Sequence, residues 1–154
     1  MTFLALSCPT AAVCWVRPVV IESTARRFVL LAPGQQPAGC WTVPLVPVPA
    51  GQSYSRAVVQ WLCRRTGLPD LRIAPVVGVL PADGARRRTQ YVVLVRPVAA
   101  AWTDDVCARL EAGARWWTLD ELHGKGVAVE PETLPLLLEG YWDGWLPDGE
   151  VSLE

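Results

Sequence analysis

The chain has 154 residues, of which 51% are hydrophobic and 19% are charged, and its formal net charge is −1. This length and composition exclude a disordered chain and predict one globular domain over residues 1–154, large enough to bury most of its apolar surface. A near-neutral charge argues against general nucleic-acid binding, which needs a broad basic surface. No apolar run approaches the roughly 20 residues that span a bilayer.

The five cysteines are an odd number without any C-x-x-C spacing, and His123 is the single histidine. This pattern argues against a structural zinc site. We expect the cysteines to be reduced and mostly buried thiols. The first residues lack the basic start and apolar core of a signal peptide, so we expect a cytoplasmic protein with no membrane partner. His123 follows a predicted helix and is expected at the surface, not as a catalytic base.

Two apolar, β-branched runs predict the first strands. Residues 11–23 predict a strand that lies at a sheet edge or is broken, because Pro18 lacks a backbone N–H. Residues 27–31 predict a second short strand, which the turn residues Pro33 and Gly34 end.

The segment from Trp41 to Leu68 predicts a short strand, a proline-rich loop with a turn at Ala50 and Gly51, and a helix. The helix runs from Ser53, a good N-cap, to Thr66, and Gly67 ends it. Apolar residues at the i, i+3, i+4, i+7, i+8 spacing predict one buried face: Tyr54, Ala57, Val58, Trp61 and Leu62. The opposite face carries Arg56, Gln60 and Arg64, so it is basic.

The second half of the chain predicts a hairpin followed by short helices. Residues 71–80 and 89–95 predict its strands, and the loop between them carries Arg86, Arg87 and Arg88, which we expect to be solvated. The remaining segments are a short helix or turn over 104–113, a final strand over 115–119, a helix capped by Thr118 or Asp120, and a last helix over 131–145 that ends at Pro147, Asp148 and Gly149.

Tryptophan is abundant, with eight residues. Trp116 and Trp117 are neighbours on one predicted strand, so their side chains point to opposite faces, and one of them faces a ligand, a helix or a partner. In the last helix we expect Trp142 in the core. For Trp145 two alternatives remain, the core and a protein interface.

The order of strand, glycine turn, helix and Thr66-Gly67-Leu68 resembles the Nudix box of the Nudix hydrolase superfamily. The family's pattern is Gly, five residues, Glu, seven residues, then Arg-Glu-aliphatic-any-Glu-Glu-any-Gly-aliphatic. Anchored on Gly67, it matches at Leu62, Gly67 and Leu68. The stretch ARWWTLDEL at 114–122 is also similar to a family segment, in which an aromatic pair precedes Leu-Asp-Glu-Leu. The resemblance implies an α/β fold with a mixed β-sheet sandwiched between helices.

The sequence departs from the family where the box has its acids. In the family the helix glutamates hold magnesium or manganese against a pyrophosphate, and these metals require hard oxygen ligands. No aspartate or glutamate lies between Glu22 and Asp70, and the five arginines of residues 23–69 give that segment a charge of +5. We therefore expect no catalytic residues in the box, no metal and no other cofactor. The box positions are occupied by Val46 for the first glycine, Gln52 for the first glutamate, Gln60 for the arginine, and Trp61, Arg64 and Arg65 for the other glutamates.

Three functional hypotheses remain. The first is a non-catalytic binding or regulatory module for an anionic nucleotide or a protein partner, with Arg56, Trp61, Arg64 and Arg65 as a phosphate clamp and a stacking platform. Against it, Trp61 could be buried or block the cleft, and Arg64 and Arg65 could be a solvated helix end. The second is a divergent Nudix-type pyrophosphohydrolase whose metal is held by acids outside the box: Asp104, Asp105, Glu111 or Asp120. The third is a structural partner that forms a homodimer through its tryptophans.

Overall fold

A computed structural model describes residues 12–34, 39–68, 70–84, 86–98 and 105–154. The strands in these ranges are β1 (Ala12–Glu22), β2 (Arg27–Leu30), β3 (Trp41–Thr42), β4 (Val46–Pro49), β5 (Leu71–Leu80), β6 (Gln90–Pro97), β7 (Arg115–Thr118), β8 (Val129–Glu130) and β9 (Gly149–Ser152). The helices are α1 (Tyr54–Thr66), α2 (Val106–Leu110), α3 (Leu119–Lys125) and α4 (Leu134–Asp143).

A mixed sheet of seven strands organises the fold, in the order β7-β2-β1-β6-β5-β9, with β4 paired to β1 off this path. Strand β1 runs parallel to β6, β5 and β6 form the predicted antiparallel hairpin, and β9 runs parallel to β5. The short strands β3 and β8 pair with each other in a second, parallel sheet. The predicted mixed sheet is therefore confirmed.

The large sheet has one hydrophobic cluster on each face, because successive residues of a strand point to opposite sides. One cluster contains Phe28, Leu94 and Trp117, together with the buried residues of α3 and α4. The other contains Val93 and buries Ala57, Val58 and Leu62 of α1 and the apolar residues of α2. Helices thus cover both faces, as predicted. Tyr54 and Trp61 of the predicted buried face of α1 are only half-buried.

The prediction that Pro18 places its strand at an edge or breaks it is wrong, because β1 is a central strand. On one side β1 pairs with β6 from Trp15 to Val20. On the other side it pairs with β4 over residues 12–16 and with β2 over residues 21–22. Pro18 lies between these two antiparallel partners, where that side of the ladder is open, and a missing N–H is tolerated at such a position.

The sequence interpretation missed strands β4, β8 and β9. Strand β4 lies in the predicted proline-rich loop, with Val46 and Val48 buried and Pro47 and Pro49 exposed. Among the described strands, β4 pairs only with β1, so its other edge is free. Prolines are tolerated at a free sheet edge. Residues 115–119 are therefore not the final strand. Helix α4 is also shorter than predicted: it ends at Asp143 with Gly144 in the left-handed conformation, φ 78°.

The predicted ends of α1 and the predicted start of α3 are confirmed. The Ser53 hydroxyl accepts a hydrogen bond from the Arg56 backbone N–H at 3.2 Å, and Gly67 ends α1 with φ 72°. Thr118, one of the two predicted caps, begins α3 in a reciprocal capping box with Glu121. Among the described residues, no helix is long and apolar enough to cross a membrane.

The expectation of mostly buried cysteines is wrong. Cys14, Cys40, Cys63 and Cys107 are free thiols and are half-buried, and Cys8 lies outside the described residues. They lie on the flanks of their elements or in loops; on α1, for example, Cys63 falls between buried Leu62 and exposed residues.

Candidate functional site

Gln52 and Gln60, which the resemblance would place at the first glutamate and the arginine of the Nudix box, face each other. Gln52 lies in the turn before α1, and Gln60 lies two helical turns into it. The Gln52 Nε2 donates a hydrogen bond to the Gln60 Oε1 at 2.8 Å. Two neutral amides therefore satisfy each other here, and neither offers a charge to a metal ion.

Trp61 and Arg65, which the resemblance would place at two further glutamate positions of the box, lie side by side on α1. The Arg65 guanidinium lies over the Trp61 ring, with 5.6 Å between its Cζ and the ring centroid. The Arg65 Nε also donates a hydrogen bond to the Leu110 carbonyl at the end of α2, at 2.9 Å. Trp61 packs against the hydrophobic cluster beneath α1. The two side chains thus contact each other, and Arg65 also contacts the neighbouring helix.

The structure does not gather the predicted ligand-binding residues on one face of α1. Arg56, Arg64 and Arg65 are all exposed, and Arg56 lies nine residues from Arg65. Nine residues are about two and a half helical turns, so Arg56 and Arg65 extend from opposite sides of the helix. Trp61 and Arg65 are brought together, while Arg56 and Arg64 lie apart on the solvent side.

A buried arginine that sequence reasoning missed, Arg17, lies in the wall between two adjoining cavities. The cavities measure about 590 Å³ and about 570 Å³, and both are also lined by Cys40 and Glu130. We call them together the Arg17 cleft. Arg17 is only 6% exposed, and cavities of this size are typical of small-molecule sites. The available sequence signal was a charged residue within an apolar, β-branched run.

Neutral acceptors from three different strands or loops position the Arg17 guanidinium. Its Nε donates to the Gln90 Oε1 at 2.7 Å, and its Nη1 donates to the Val43 carbonyl at 3.1 Å and to the Thr42 Oγ1 at 3.3 Å. The Nη2 has a single described acceptor nearby, the Glu130 Oε1, at 3.5 Å. That separation exceeds the roughly 2.8 Å of a strong charge-assisted hydrogen bond.

The positive charge of Arg17 is only partly neutralised. Burial lowers the pKa of Arg17 from its ordinary value; Glu130 opposes this shift and Arg86 adds to it. The guanidinium nevertheless stays protonated in proteins. The Glu130 side chain is 64% exposed, so water screens its charge, whereas the Arg17 side chain is 7% exposed. A buried charge with so weak a counter-charge is costly to fold, and an anionic ligand would reduce that cost.

Arg86 supplies a second cation to the larger cavity. Its Nε donates to the Pro81 carbonyl and its Nη2 to the Asp83 carboxylate, both at 3.2 Å. The prediction that the three loop arginines are solvated is therefore wrong for Arg86, which is half-buried. Arg87 and Arg88 are exposed, as predicted.

The mouth of the Arg17 cleft is acidic. Glu130, Glu132 and Glu154 line the larger cavity, and Glu111 lines the smaller one; all four residues are exposed. The same larger cavity has an apolar wall made of Leu80, Val129, Pro131 and Leu153.

The acids considered as substitute metal ligands lie on separate elements. Asp105 is exposed before α2, Glu111 is exposed after it, and Asp120 is exposed on α3; Asp104 lies outside the described residues. Within the described ranges, no group of three or more His, Cys, Asp or Glu side chains could hold a metal ion.

The tryptophan and histidine predictions hold in most respects. Trp117 is 2% exposed in one cluster, and Trp116 packs against the other with the Arg27 guanidinium 4.5 Å from its ring centroid, so the two neighbours do point to opposite faces. Trp142 is half-buried against the core, and Trp145 is 55% exposed. His123 is exposed, as predicted.

The mixed sheet between two helical layers, with α1 following the β3–β4 segment, is a Nudix-type α/β fold. No family model matches the sequence, and no curated protein is similar to it. The solved structures that are similar include an Ap4A hydrolase from C. elegans, with a TM-score of 0.61 and 19% identity over 88% of this chain and 99% of that chain. A NUDIX hydrolase from Nitrosomonas europaea has a TM-score of 0.57 and 18% identity over 90% of this chain and 93% of that chain.

An ADP-ribose pyrophosphatase from Streptococcus suis is also similar, with a TM-score of 0.52 and 15% identity over 90% of this chain and 96% of that chain. At these identities the similarity shows the Nudix fold. It does not carry an activity to this chain.

Proposed function

We propose that this chain is a non-catalytic binding module built on the Nudix fold, and that its ligand is a small molecule with an anionic group that binds without a metal. One observation carries the proposal. The resemblance places Trp61, Arg64 and Arg65 where the Nudix box has its helix glutamates; Trp61 and Arg65 contact each other, and Arg65 also bonds to α2.

Charge and coordination chemistry both support this proposal. Arg64 and Arg65 repel a divalent cation, and the indole of Trp61 offers it no oxygen ligand. Gln52 and Gln60 already bond to each other, so their amide oxygens are not arranged around a shared ion. A magnesium ion bound against a pyrophosphate would therefore have no carboxylate on α1.

We place the anion contact at Arg17 instead of on α1. The Nη2 of Arg17 faces the cleft, and its single described acceptor is distant and exposed. A ligand carboxylate or phosphate oxygen could form the charge-assisted hydrogen bond that Glu130 makes only weakly. Arg86 adds a second positive charge to the same cavity.

Hydrolysis assays test the non-catalytic part of the proposal. ADP-ribose, dinucleoside polyphosphates and nucleoside triphosphates should show no turnover above background with magnesium or manganese. Turnover near about 1 per second, an ordinary enzyme rate, would overturn it and favour the divergent pyrophosphohydrolase.

Binding assays test the site. Titration of ADP-ribose and of small carboxylates, with EDTA present, should detect a ligand whose binding is weakened by Arg86→Gln and unchanged by Arg64→Gln. If Arg64→Gln weakened binding and Arg86→Gln left it unchanged, the anion site would lie on α1. The helix site predicts a loss on the order of 1–3 kcal/mol for Arg64→Ala or Arg65→Ala, because the anion would lose a charged partner.

A homodimer or another protein partner is the second candidate, and exposed Trp145 favours it. Trp145 lies two residues after the end of α4 and is 55% exposed. Apolar side chains of this size are enriched at protein interfaces. Light scattering across a concentration series, repeated with Trp145→Ser, tests this candidate. If the surface mediates dimerisation, the molar mass should rise with concentration in the unmodified protein and stay constant in the variant.

A further inference from the structure

We infer that the ligand of the Arg17 cleft is a small zwitterion, with one carboxylate, one cationic group and an apolar body. The inference rests on the proposed function, because it assigns a ligand class to the same cleft. It differs from the names of two similar solved structures, an ADP-ribose pyrophosphatase and an Ap4A hydrolase.

The hydrogen bonds of Arg17 limit the anion to one compact group. Its Nε and Nη1 are held by Gln90, Thr42 and Val43, so the guanidinium cannot offer the two-pronged edge formed by Nε and one Nη. Only the Nη2 remains available to a ligand, and its described partner, Glu130, is exposed and weakly bound. A single ligand carboxylate that replaces Glu130 fits this arrangement.

The charges around the mouth oppose a polyphosphate. A ligand that placed one phosphate on Arg17 would bring its further negative charges close to Glu130, Glu132 and Glu154, which line the same cavity. Arg86 is the other cation of that cavity, and it already pairs with Asp83 at 3.2 Å. Like charges at short range are repulsive, even when water screens them in part.

The same glutamates favour a cationic group on the ligand. An ammonium near Glu132 and Glu154 would meet two exposed carboxylates while the ligand carboxylate contacts Arg17. The apolar wall of Leu80, Val129, Pro131 and Leu153 can contact a hydrophobic body between the two charges. The buried cation, the acidic mouth and the apolar wall of this cavity together match the carboxylate, the ammonium and the side chain of an apolar α-amino acid, which is a zwitterion.

A series of probes that changes one charge at a time tests this inference. We would titrate L-valine, L-leucine, L-phenylalanine and L-tryptophan by calorimetry with EDTA present. For the amino acid that binds most tightly, we would also titrate two derivatives: the N-acetyl derivative, which lacks the cation, and the amide, which lacks the carboxylate. ADP serves as a polyanionic probe. The free amino acid should bind about tenfold more tightly than either derivative, which corresponds to about one ion pair, and more tightly than ADP.

Matched variants separate the acidic mouth from the fold. The double variant Glu132→Gln/Glu154→Gln should lower the ratio of the affinity for the free amino acid to that for its N-acetyl derivative by about tenfold. Both residues are exposed, so the fold should tolerate the change. Glu139→Gln, an exposed acid on α4 that does not line the cleft, is the control and should leave the preference unchanged.

The outcomes distinguish the two proposals. If the N-acetyl derivative or ADP binds as tightly as the amino acid, and Arg86→Gln weakens that binding, the zwitterion inference is wrong and the proposed function stands. If no amino acid binds but another metal-free anion does, the inference is again wrong alone. If nothing in either series binds in EDTA, both proposals are wrong.

Discussion

Arg65 and Arg109 connect α1 and α2 by reaching across their interface in opposite directions. The Arg65 Nε donates to the Leu110 carbonyl at 2.9 Å, and the Arg109 Nη1 donates to the Thr66 carbonyl at 2.7 Å. Thr66 is the last residue of α1, so Arg109 satisfies one of the carbonyls that a helix end leaves without an intrahelical partner. Arg65 thus has a packing role between the two helices.

This packing role predicts different effects for neighbouring arginines. Arg65→Ala should lower the free energy of unfolding by about 1–2 kcal/mol, because it removes a charged donor from the Leu110 carbonyl and uncovers Trp61. Arg64→Ala is the matched control, and we expect a change within about 0.5 kcal/mol because Arg64 is exposed. Urea unfolding followed by tryptophan fluorescence gives both values. Equal losses in the two variants would show that Arg65 does not hold the helices together.

A second prediction concerns the packing of the segment after β9 on the sheet. A Cβ at Gly78 would lie 2.6 Å from the Leu153 Cδ1 and 3.0 Å from the Leu137 Cδ2. Gly78→Ala should therefore destabilise the fold by about 1–3 kcal/mol through overpacking. Gly84→Ala is the control, since a Cβ there has no described atom within 4 Å. Thermal unfolding compares them, and an unchanged midpoint for Gly78→Ala would mean that Leu153 does not pack there in solution.

The Cys107 thiol gives a prediction about pH. Burial raises its pKa to about 11, although Arg27 opposes the shift. A raised pKa lowers the thiolate fraction at any given pH, to about 1% at pH 9, and the thiolate is the reactive form. Alkylation of Cys107 by iodoacetamide, followed by peptide mass spectrometry, should keep accelerating up to about pH 11. In the urea-unfolded protein, the same site should level off near its ordinary pKa of 9.0. A plateau near pH 9 in the folded protein would contradict the prediction.

Local signals predicted much of the fold. The Ser53 cap and Gly67 define α1, and the Thr118 capping box defines the start of α3; each depends on residues within one helical turn. The hairpin pairing of β5 with β6 was also predicted, but the pairing of strands that are distant in the sequence could not be predicted in this way. The central position of Pro18 depends on β4, β2 and β6 meeting β1, which no local pattern encodes.

The candidate site depends even more on distant contacts. Arg17 is positioned by Thr42, which is 25 residues away, and by Gln90, which is 73 residues away. Arg17 has no distinguishing spacing in the sequence, only an apolar neighbourhood. Conversely, the sequence shows the charge of Arg65 but not that its guanidinium binds the carbonyl of Leu110, 45 residues away.

The most direct test of the central claim is a crystal structure soaked with manganese and ADP-ribose, with the metal located by its anomalous scattering. We predict no manganese beside Trp61, Arg64 and Arg65, and an anionic group of any bound ligand next to the Arg17 Nη2. A manganese ion beside α1 that is coordinated by the pyrophosphate oxygens of ADP-ribose would contradict it.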